Sequence, residues 1–143
     1  MSNYENLLLN NQLCFALYAA TNVIVRVYRP KLMGVGLTYP QYLVLLVLWE
    51  SKHITVKSLA QRLKLDSASI TPLLKRLEKA GLLTRNRNAD DERIVNIHLT
   101  DKGQELEHQV AQLQNEVACQ TGLKEKEFFE LRDTLHRLIA TMS

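Results

Sequence analysis

The sequence feature that most constrains the fold is a 29-residue stretch in the middle of the chain, TVKSLAQRLKLDSASITPLLKRLEKAGLL (55–83). Its apolar residues recur with a helical period in two short segments separated by a tight turn. Thr55 can cap the first segment, Asp66 can cap the second, and Gly81 suits the end of the second. The stretch therefore predicts a helix–turn–helix.

The periodicity changes directly after Gly81. Two β-prone segments, LLTRNRN (82–88) and RIVNIHL (93–99), flank the polar tip ADDE (89–92). This arrangement is typical of a two-stranded hairpin. A helix–turn–helix followed by a hairpin is a winged helix, and we expect residues 52–100 to form this lobe.

Helical patterns precede the lobe. A first helix is predicted from an N-cap at Asn10 or Asn11 towards Arg29, because Pro30 disfavours helix at the residue before it. A second helix is predicted from Thr38 or Tyr39, with Pro40 in its first turn, through about residue 49.

Two further helical patterns follow Thr100, with apolar stripes at residues 106, 110, 113 and 117 and at residues 128, 131, 135, 138 and 142. Apolar stripes outside the lobe need a partner, and a second copy of the chain is the simplest one. The expected fold is therefore mainly α with a small β-hairpin wing. Residues 1–50 and 101–143 are predicted to be dimerisation helices.

Composition is that of one globular domain, since the 143 residues are 46% hydrophobic and 23% charged. The longest apolar run, residues 42–49, is too short to span a bilayer, and no secretion signal is recognisable, so we expect a cytoplasmic protein without a membrane partner. Four scattered histidines (53, 98, 108 and 136) and two cysteines 105 positions apart form no metal-ligand pattern. We expect no metal and no cofactor.

Positive charge is concentrated in the middle of the chain. Residues 52–93 contain ten Lys and Arg against five acidic residues, a net charge of +5, which leaves −2 for the remainder of a chain of net charge +3. A local positive field of this kind favours binding to a polyanion.

The second helix of a helix–turn–helix enters the major groove with its first residues facing the base edges. Small hydroxyl side chains permit close approach, and basic side chains one turn later can reach phosphates or guanine. The predicted DNA-contacting residues of this helix are Ser67, Ala68, Ser69, Thr71, Pro72, Lys75 and Arg76. The alternative is that these are ordinary helix-start residues followed by a solvated basic pair.

The hairpin adds three guanidinium groups, those of Arg85, Arg87 and Arg93. A narrow minor groove attracts arginine, so the wing is predicted to bind DNA there. Asp91 is placed to hold the side chain of Arg93 by a bidentate contact. The alternative is a surface ion pair that contributes little.

The segments LTYPQYLVLLVLWE, VKSLAQRLKLDSASITPLLKRLEKAGLLTR and DDERIVNIHLTDKG together resemble the MarR family of dimeric winged-helix repressors. With LCFALYAATNVIVRVYRP they are similar to its organic-hydroperoxide-sensing, OhrR-like branch. The tip NADDER differs from many relatives, which carry a proline there. The resemblance implies a homodimer on a pseudo-palindromic operator in double-stranded DNA.

Cys14 lies in the first turn of the predicted first helix, where free amides and the helix dipole favour a thiolate. Peroxides oxidise a thiolate to sulfenic acid, although a free cysteine is more often a small buried hydrophobe. Tyr18 is one turn further on, whereas Tyr28 is about 21 Å along a straight helix and can reach only a partner's thiol. The resemblance implies that Tyr18, Tyr28 and Tyr39 support the reactive cysteine, the last two from the other subunit.

Cys119 lies off the apolar stripe of its predicted helix, which argues against a packing role. The resemblance implies the two-cysteine type, in which oxidised Cys14 forms a disulfide with Cys119 of the other subunit. The predicted function is thus a repressor that organic hydroperoxides release from its operator by way of an apolar pocket including Phe15 and Leu17. Two alternatives stay open: a MarR-type repressor relieved by a phenolic or amphipathic ligand, and a thiol peroxidase. We do not expect an enzyme.

Overall fold

The computed structural model describes residues 2–143 and is mainly helical, with one small antiparallel sheet. Two short 3-10 turns, Glu5–Leu7 and Leu9–Asn11, precede the first α-helix. The elements in order are α1 (Leu13–Met33), α2 (Tyr39–Ser51), β1 (His53–Thr55), α3 (Val56–Leu63), α4 (Ser67–Lys79), β2 (Leu83–Arg87), β3 (Val95–Leu99), α5 (Asp101–Glu105), α6 (Glu107–Gln120) and α7 (Glu125–Met142). The predicted winged helix is confirmed.

Local capping fixes the two helices of the helix–turn–helix. The hydroxyl of Thr55 accepts the backbone N–H of Ser58 at 3.1 Å, and the carboxylate of Asp66 accepts that of Ser69 at 2.7 Å. Each cap satisfies a backbone donor that the first helical turn leaves unpaired. The chain leaves α4 through Gly81, whose φ of +80° suits glycine. All three boundaries agree with the sequence prediction.

The sheet contains one strand more than the predicted hairpin. Its order is β1-β3-β2, with His53 opposite His98 and Leu83 opposite Leu99. β1 has only three residues, too few to display a periodicity, and it exists because β3 supplies its hydrogen-bonding partner. The wing is thereby attached along β3 to the segment that enters α3.

The predicted limits of the first helix were wrong at both ends. Gln12 is the N-cap instead of Asn10 or Asn11, and α1 continues through Pro30 to Met33. Pro30 removes only the hydrogen bond to the carbonyl of Arg26, near the end of the helix. Continuation places Leu32 in a fully buried position, and this burial outweighs one lost hydrogen bond.

α2 forms the centre of the core. Thr38 and Gln41 make a complete capping box at its start, with Pro40 in the first turn. Leu45 and Leu48 are fully buried. They belong to one hydrophobic cluster that also includes residues of α1, the helix–turn–helix, the sheet and α6. The largest fully buried side chains of this cluster outside α2 are Leu32, Leu59, Ile70, Leu74, Leu77, Leu83, Ile97 and Val110.

The two ends of the chain present apolar surface outward. α7 contains no buried residue, although it carries Phe129, Leu131 and Ile139, and the start of the chain exposes Leu13 and Tyr18. The stripe of α6 is by contrast packed inward. Division into dimerisation helices at 1–50 and 101–143 and a DNA-binding lobe at 52–100 remains a prediction. Across residues 2–143, no helix combines the length and hydropathy needed to cross a membrane.

Candidate nucleic-acid interface and thiol site

The exposed start of α4 carries the side chains that were predicted to contact DNA. Ser67, Ala68, Ser69 and Pro72 are exposed, and Thr71 is half-buried with its hydroxyl donating to the carbonyl of Ser67 at 2.8 Å. Their opposite face, which includes Ile70 and Leu74, is buried in the core. The helix therefore presents a small, polar surface at its N-terminal end.

Lys75 and Arg76 lie one turn further along α4, and both are exposed. Within residues 2–143 neither side chain forms an ion pair. Two unneutralised cations one turn beyond the uncharged side chains of Ser67, Ala68 and Ser69 are suited to phosphates that flank a groove.

A groove of about 660 Å³ separates the start of α4 from the wing. Its lining includes Ser67, Arg93 and Lys57, the last from the first turn of α3. Sequence reasoning missed Lys57. The sequence offered one signal for Lys57, because it lies two residues after the Thr55 cap. A basic residue in the first turn of a capped helix lies at the surface of the lobe. The groove brings α3, α4 and the wing to one surface.

The wing tip holds Arg93 in the predicted bidentate contact. Its Nε and Nη2 donate to Oδ1 and Oδ2 of Asp91, both at 3.0 Å, while 90% of the Arg93 side chain is exposed. The hydrogen bond from the Arg93 side chain, and then that from its backbone, lowers the pKa of Asp91 below its ordinary value. Arg93 is therefore oriented outward without being buried.

The tip is ordered without the proline found in many relatives. The side-chain oxygen of Asn88 accepts the backbone N–H groups of Asp90 at 2.8 Å and Asp91 at 3.2 Å. The N–H of Asn88 donates to the carbonyl of Ile94 at 2.7 Å, which closes the hairpin. Arg87 donates to the carbonyl of Glu92 at 2.9 Å and is exposed beside the tip. An Asx turn thus replaces the proline.

Arg85 is placed differently from the other two wing arginines. Its side chain contacts Glu78 of α4 and is 26% exposed. The side-chain hydrogen bond of Arg85 is the main reason that the pKa of Glu78 lies below its ordinary value. The structure joins Arg85 to α4, whereas Arg87 and Arg93 project at the tip.

Cys14 is the second residue of α1 and is an exposed free thiol. Its place in the first helical turn agrees with the prediction. Gln12 provides no side-chain cap to that turn, so its amides remain available to an anion. Tyr18 is exposed one turn further on the same side of α1.

Tyr28 and Tyr39 lie together, with Tyr42 as a third member that sequence reasoning missed. The three ring centroids are 5.3 to 5.7 Å apart, and Tyr28 and Tyr42 are buried. Burial, together with contact with Tyr28, raises the pKa of both Tyr39 and Tyr42. These phenols stay protonated at neutral pH and can donate hydrogen bonds to an anion.

Cys119 is an exposed free thiol in the last turn of α6. A 2.6 Å ion pair between Glu116 and Lys31 joins α6 to the late part of α1. Lys31 follows Cys14 by 17 positions, about 25 Å along a helix, whereas Glu116 is within one turn of Cys119. The end of α6 therefore faces the middle and late parts of α1, and its residue Gln120 lines a cavity with Ala19 and Val23 of that helix.

An apolar cavity of about 460 Å³ lies between α1, the end of α6 and α7. Ala20, Val23, Val117 and Leu131 contribute to its wall. The predicted pocket residues Phe15 and Leu17 do not, because the part of α1 that lines this cavity begins at Ala19. Among residues 2–143, no three His, Cys, Asp or Glu side chains are grouped as metal ligands would be.

Comparison with known proteins identifies the lineage. A family model described as transcriptional regulator SarA/Rot matches residues 26–110. The organic hydroperoxide resistance transcriptional regulator of Bacillus subtilis is 38% identical over 141 residues, covering 99% of this chain and 96% of that protein. The chain belongs to the MarR/SarA type of winged-helix transcriptional regulators. The resemblance read from the sequence is thus confirmed.

A second relative of this MarR/SarA-type regulator is TtmR of Methylorubrum extorquens. It is 50% identical over 127 residues, which cover 89% of this chain and 65% of TtmR. Both relatives are named as transcriptional regulators, in keeping with a regulator rather than an enzyme.

AbfR of Staphylococcus epidermidis supplies two solved states for comparison. Reduced AbfR bound to DNA matches with a TM-score of 0.77 at 36% identity, covering 94% of each chain. Disulfide-formed AbfR matches with a TM-score of 0.66 at 38% identity, covering 94% of this chain and 89% of that one. This MarR/SarA-type chain is thus more similar in shape to the DNA-bound AbfR structure than to the disulfide-formed one.

Proposed function

We propose that the protein is a homodimeric repressor that binds a pseudo-palindromic operator when Cys14 is reduced and leaves it when organic hydroperoxide oxidises Cys14. The observation that carries this proposal is the exposed thiol in the first, uncapped turn of α1. Free backbone amides at that helix start can donate hydrogen bonds to an anionic sulfur, and a thiolate is the form that peroxides attack.

Homodimerisation accounts for the apolar surface that one chain leaves uncovered. α7 and the start of α1 expose large apolar side chains, including Phe129, Leu131 and Leu13. A two-fold interface would cover both surfaces at once. It would also bring the Tyr28–Tyr39–Tyr42 group of one chain towards the exposed thiol of the other, where protonated phenols could donate to the sulfur.

DNA contact is assigned to two parts of each lobe. Exposed residues at the start of α4 read base edges in the major groove, and Lys75 and Arg76 contact the flanking phosphates. Arg93, held outward by Asp91, enters the minor groove, and Lys57 contacts the backbone between them. Half-sites read by two such lobes lie about 34 Å apart.

The redox step consists of two displacement reactions at sulfur. The Cys14 thiolate attacks the O–O bond of an organic hydroperoxide, which gives a sulfenic acid and releases the corresponding alcohol. Cys119 of the other subunit then displaces the sulfenic oxygen as water, and a disulfide forms. We expect the bond to form between subunits, because Cys14 lies in the first turn of α1 whereas the end of α6, which carries Cys119, faces the middle and late parts of that helix. Joining the two subunits requires helices to move, which shifts the lobes off their half-sites.

Replacing Cys14 by serine tests the proposal. An operator duplex is first selected from random sequence with the reduced protein, and binding is followed by fluorescence anisotropy. Cys14→Ser should bind within about twofold of wild type, since serine replaces sulfur by oxygen in a side chain of nearly the same size. Stoichiometric cumene hydroperoxide should release wild type and leave the variant bound. If Cys14→Ser still dissociates, the proposal is refuted.

Cys119→Ser is the matched control for the second step. It should be oxidised at Cys14, yet give no dimer-sized band on non-reducing electrophoresis, whereas wild type gives a band that reductant removes. A dimer-sized band that persists in Cys119→Ser would exclude the intersubunit pairing while leaving Cys14 as the sensor.

The apolar cavity between α1, α6 and α7 favours one alternative, a repressor relieved by an amphipathic ligand. Its wall is mainly aliphatic and its volume of about 460 Å³ suits a small aromatic molecule. Release by such a ligand would persist in Cys14→Ser and after thiol alkylation, which separates the two mechanisms.

A further inference from the structure

One contact, between Glu78 and Arg85, joins α4 directly to the wing. Nε and Nη2 of Arg85 donate to Oε1 of Glu78 at 3.2 and 2.9 Å, and the backbone N–H of Arg85 donates to Oε2 at 3.1 Å. Both carboxylate oxygens are therefore engaged by one residue. A charge-assisted arrangement of this kind has a defined geometry as well as a favourable energy.

The contact is one of several that set the angle between α4 and the wing, beside the hydrogen bond from the N–H of Leu82 to the carbonyl of Leu77 and the pairing of β3 with β1. Glu78 belongs to the last turn of α4, and Arg85 is the middle residue of β2, the edge strand of the sheet. The connector between α4 and β2 is short and turns through Gly81 at φ +80°. Since Glu78 accepts a backbone N–H of β2 as well as the side chain, it holds the strand itself and not only a mobile arginine.

We propose that Glu78 and Arg85 are positioning residues that hold the wing at a fixed orientation to α4, so that both reach one operator half-site together. This inference rests on the proposed DNA contacts of α4 and the wing tip. It also assigns Arg85 a role other than direct DNA contact, in contrast to Arg93.

Arg85 and Arg93 differ in exposure and in the position of the acidic residue that each contacts. The Arg85 side chain is 26% exposed and that of Glu78 is 38% exposed, whereas Arg93 is 90% exposed. A phosphate brought close to Arg85 would also approach the carboxylate of Glu78, and the two anions would repel each other. Arg93 can project into a groove while Asp91 remains behind it. The geometry therefore suits Arg85 for support.

The two roles of Arg85 make opposite predictions for Glu78. If Arg85 contacts a phosphate, Glu78→Ala removes a repelling charge, and DNA affinity stays the same or rises. If the pair positions the wing, Glu78→Ala and Arg85→Ala each free the wing and weaken DNA binding by roughly tenfold, the size of a coupling between contacting residues. The double variant then binds no more weakly than either single variant.

The salt dependence of binding separates positioning from direct contact. Loss of one phosphate contact lowers the slope of log K against log salt by about 0.9. The positioning role predicts an unchanged slope in all three variants, because no phosphate contact is removed. Glu78→Gln keeps one acceptor oxygen and should lie between wild type and Glu78→Ala.

Glu50→Ala is the matched control, since it removes the carboxylate of another Glu–Arg pair, the 2.7 Å contact that joins Glu50 of α2 to Arg62 of α3. It should leave DNA affinity unchanged. All variants should keep the wild-type circular dichroism, so that a loss of DNA binding is not a loss of fold. A rise in affinity for Glu78→Ala, or a lower salt slope for Arg85→Ala alone, would overturn the inference.

A failure of the proposed DNA contacts can be told apart from a failure of the positioning role alone. If wild type selects no operator, or if Lys75→Ala and Arg93→Ala bind as tightly as wild type, the assignment of DNA contacts fails and the positioning role fails with it. If those variants bind weakly while Glu78→Ala binds normally, only the positioning role is wrong.

Discussion

Gly103→Ala is a substitution for which helix preference and packing predict opposite changes in the free energy of unfolding. Gly103 is buried within α5, and in a helix interior alanine is favoured over glycine by about 1 kcal/mol. A Cβ added there would lie 2.3 Å from the carbonyl oxygen of Leu82 and 2.6 Å from Cδ1 of Leu99. Neither separation is possible for a real carbon atom, so α5 or its neighbours must move.

Hydrogen bonds restrain the backbone of both Leu82 and Gly103. The carbonyl of Leu82 accepts the N–H of Thr100 at 3.2 Å, and the carbonyl of Gly103 accepts the indole N–H of Trp49 at 3.0 Å. Overpacking of a fitted site destabilises by about 1–3 kcal/mol, and weakening one hydrogen bond adds about 1 kcal/mol. After subtraction of the helix preference, we expect Gly103→Ala to reduce the free energy of unfolding by about 2 kcal/mol.

Urea unfolding followed by the fluorescence of Trp49, the single tryptophan, measures this change at fixed protein concentration. Gly34→Ala is the control, because Gly34 has helical φ and ψ and its added Cβ would lie 3.3 Å from the nearest atom. That variant should differ from wild type by less than about 0.5 kcal/mol. Gly103→Ala at or above wild-type stability, with the control unchanged, would refute the packing described for α5.

Two further predictions concern the lobe. Hydrogen bonds from Ser69, first from its backbone N–H and then from its hydroxyl, lower the pKa of Asp66. The stabilisation that the Asp66 carboxylate gives is therefore present above the ordinary carboxyl pKa. It is lost as the pH falls through the lowered pKa. Asp66→Asn keeps a capping oxygen without titrating, so its urea midpoint should fall less than that of wild type between about pH 5 and pH 3; an equal fall would count against the cap. Asp91→Ala frees Arg93 and should weaken operator binding by roughly tenfold at unchanged urea midpoint, whereas Asp90→Ala should not. Equal binding by the two variants would show that Asp91 does not orient Arg93.

Features set by neighbouring residues were predictable from sequence. Thr55 and Asp66 cap helices through their own side chains, and the Thr38–Gln41 box needs only four consecutive residues. The bidentate contact of Asp91 with Arg93 spans two positions and was equally accessible. In each case the partner lies within one turn, so spacing alone determines the contact.

Features set by distant partners were not predictable. β1 has three residues and is defined only by its register against β3. α1 passes through Pro30 because burial of Leu32 depends on helices that the local sequence does not reveal. Arg85 was predicted to act with the other wing arginines, and its contact with Glu78 follows from the turn at Gly81, which brings β2 back along α4.

The proposed sensing site would not be complete in one chain. Cys14 lies in the first turn of α1, whereas the end of α6, which carries Cys119, faces the middle and late parts of that helix. The tyrosine group at Tyr28 is also on the late part of α1, 14 positions or about 21 Å from the thiol of its own chain. An antiparallel second copy of α1 would bring these late-helix groups opposite Cys14. Under the proposed mechanism, a bond formed between subunits in this way changes the spacing of the two DNA-binding lobes, and binding to two half-sites depends on that spacing.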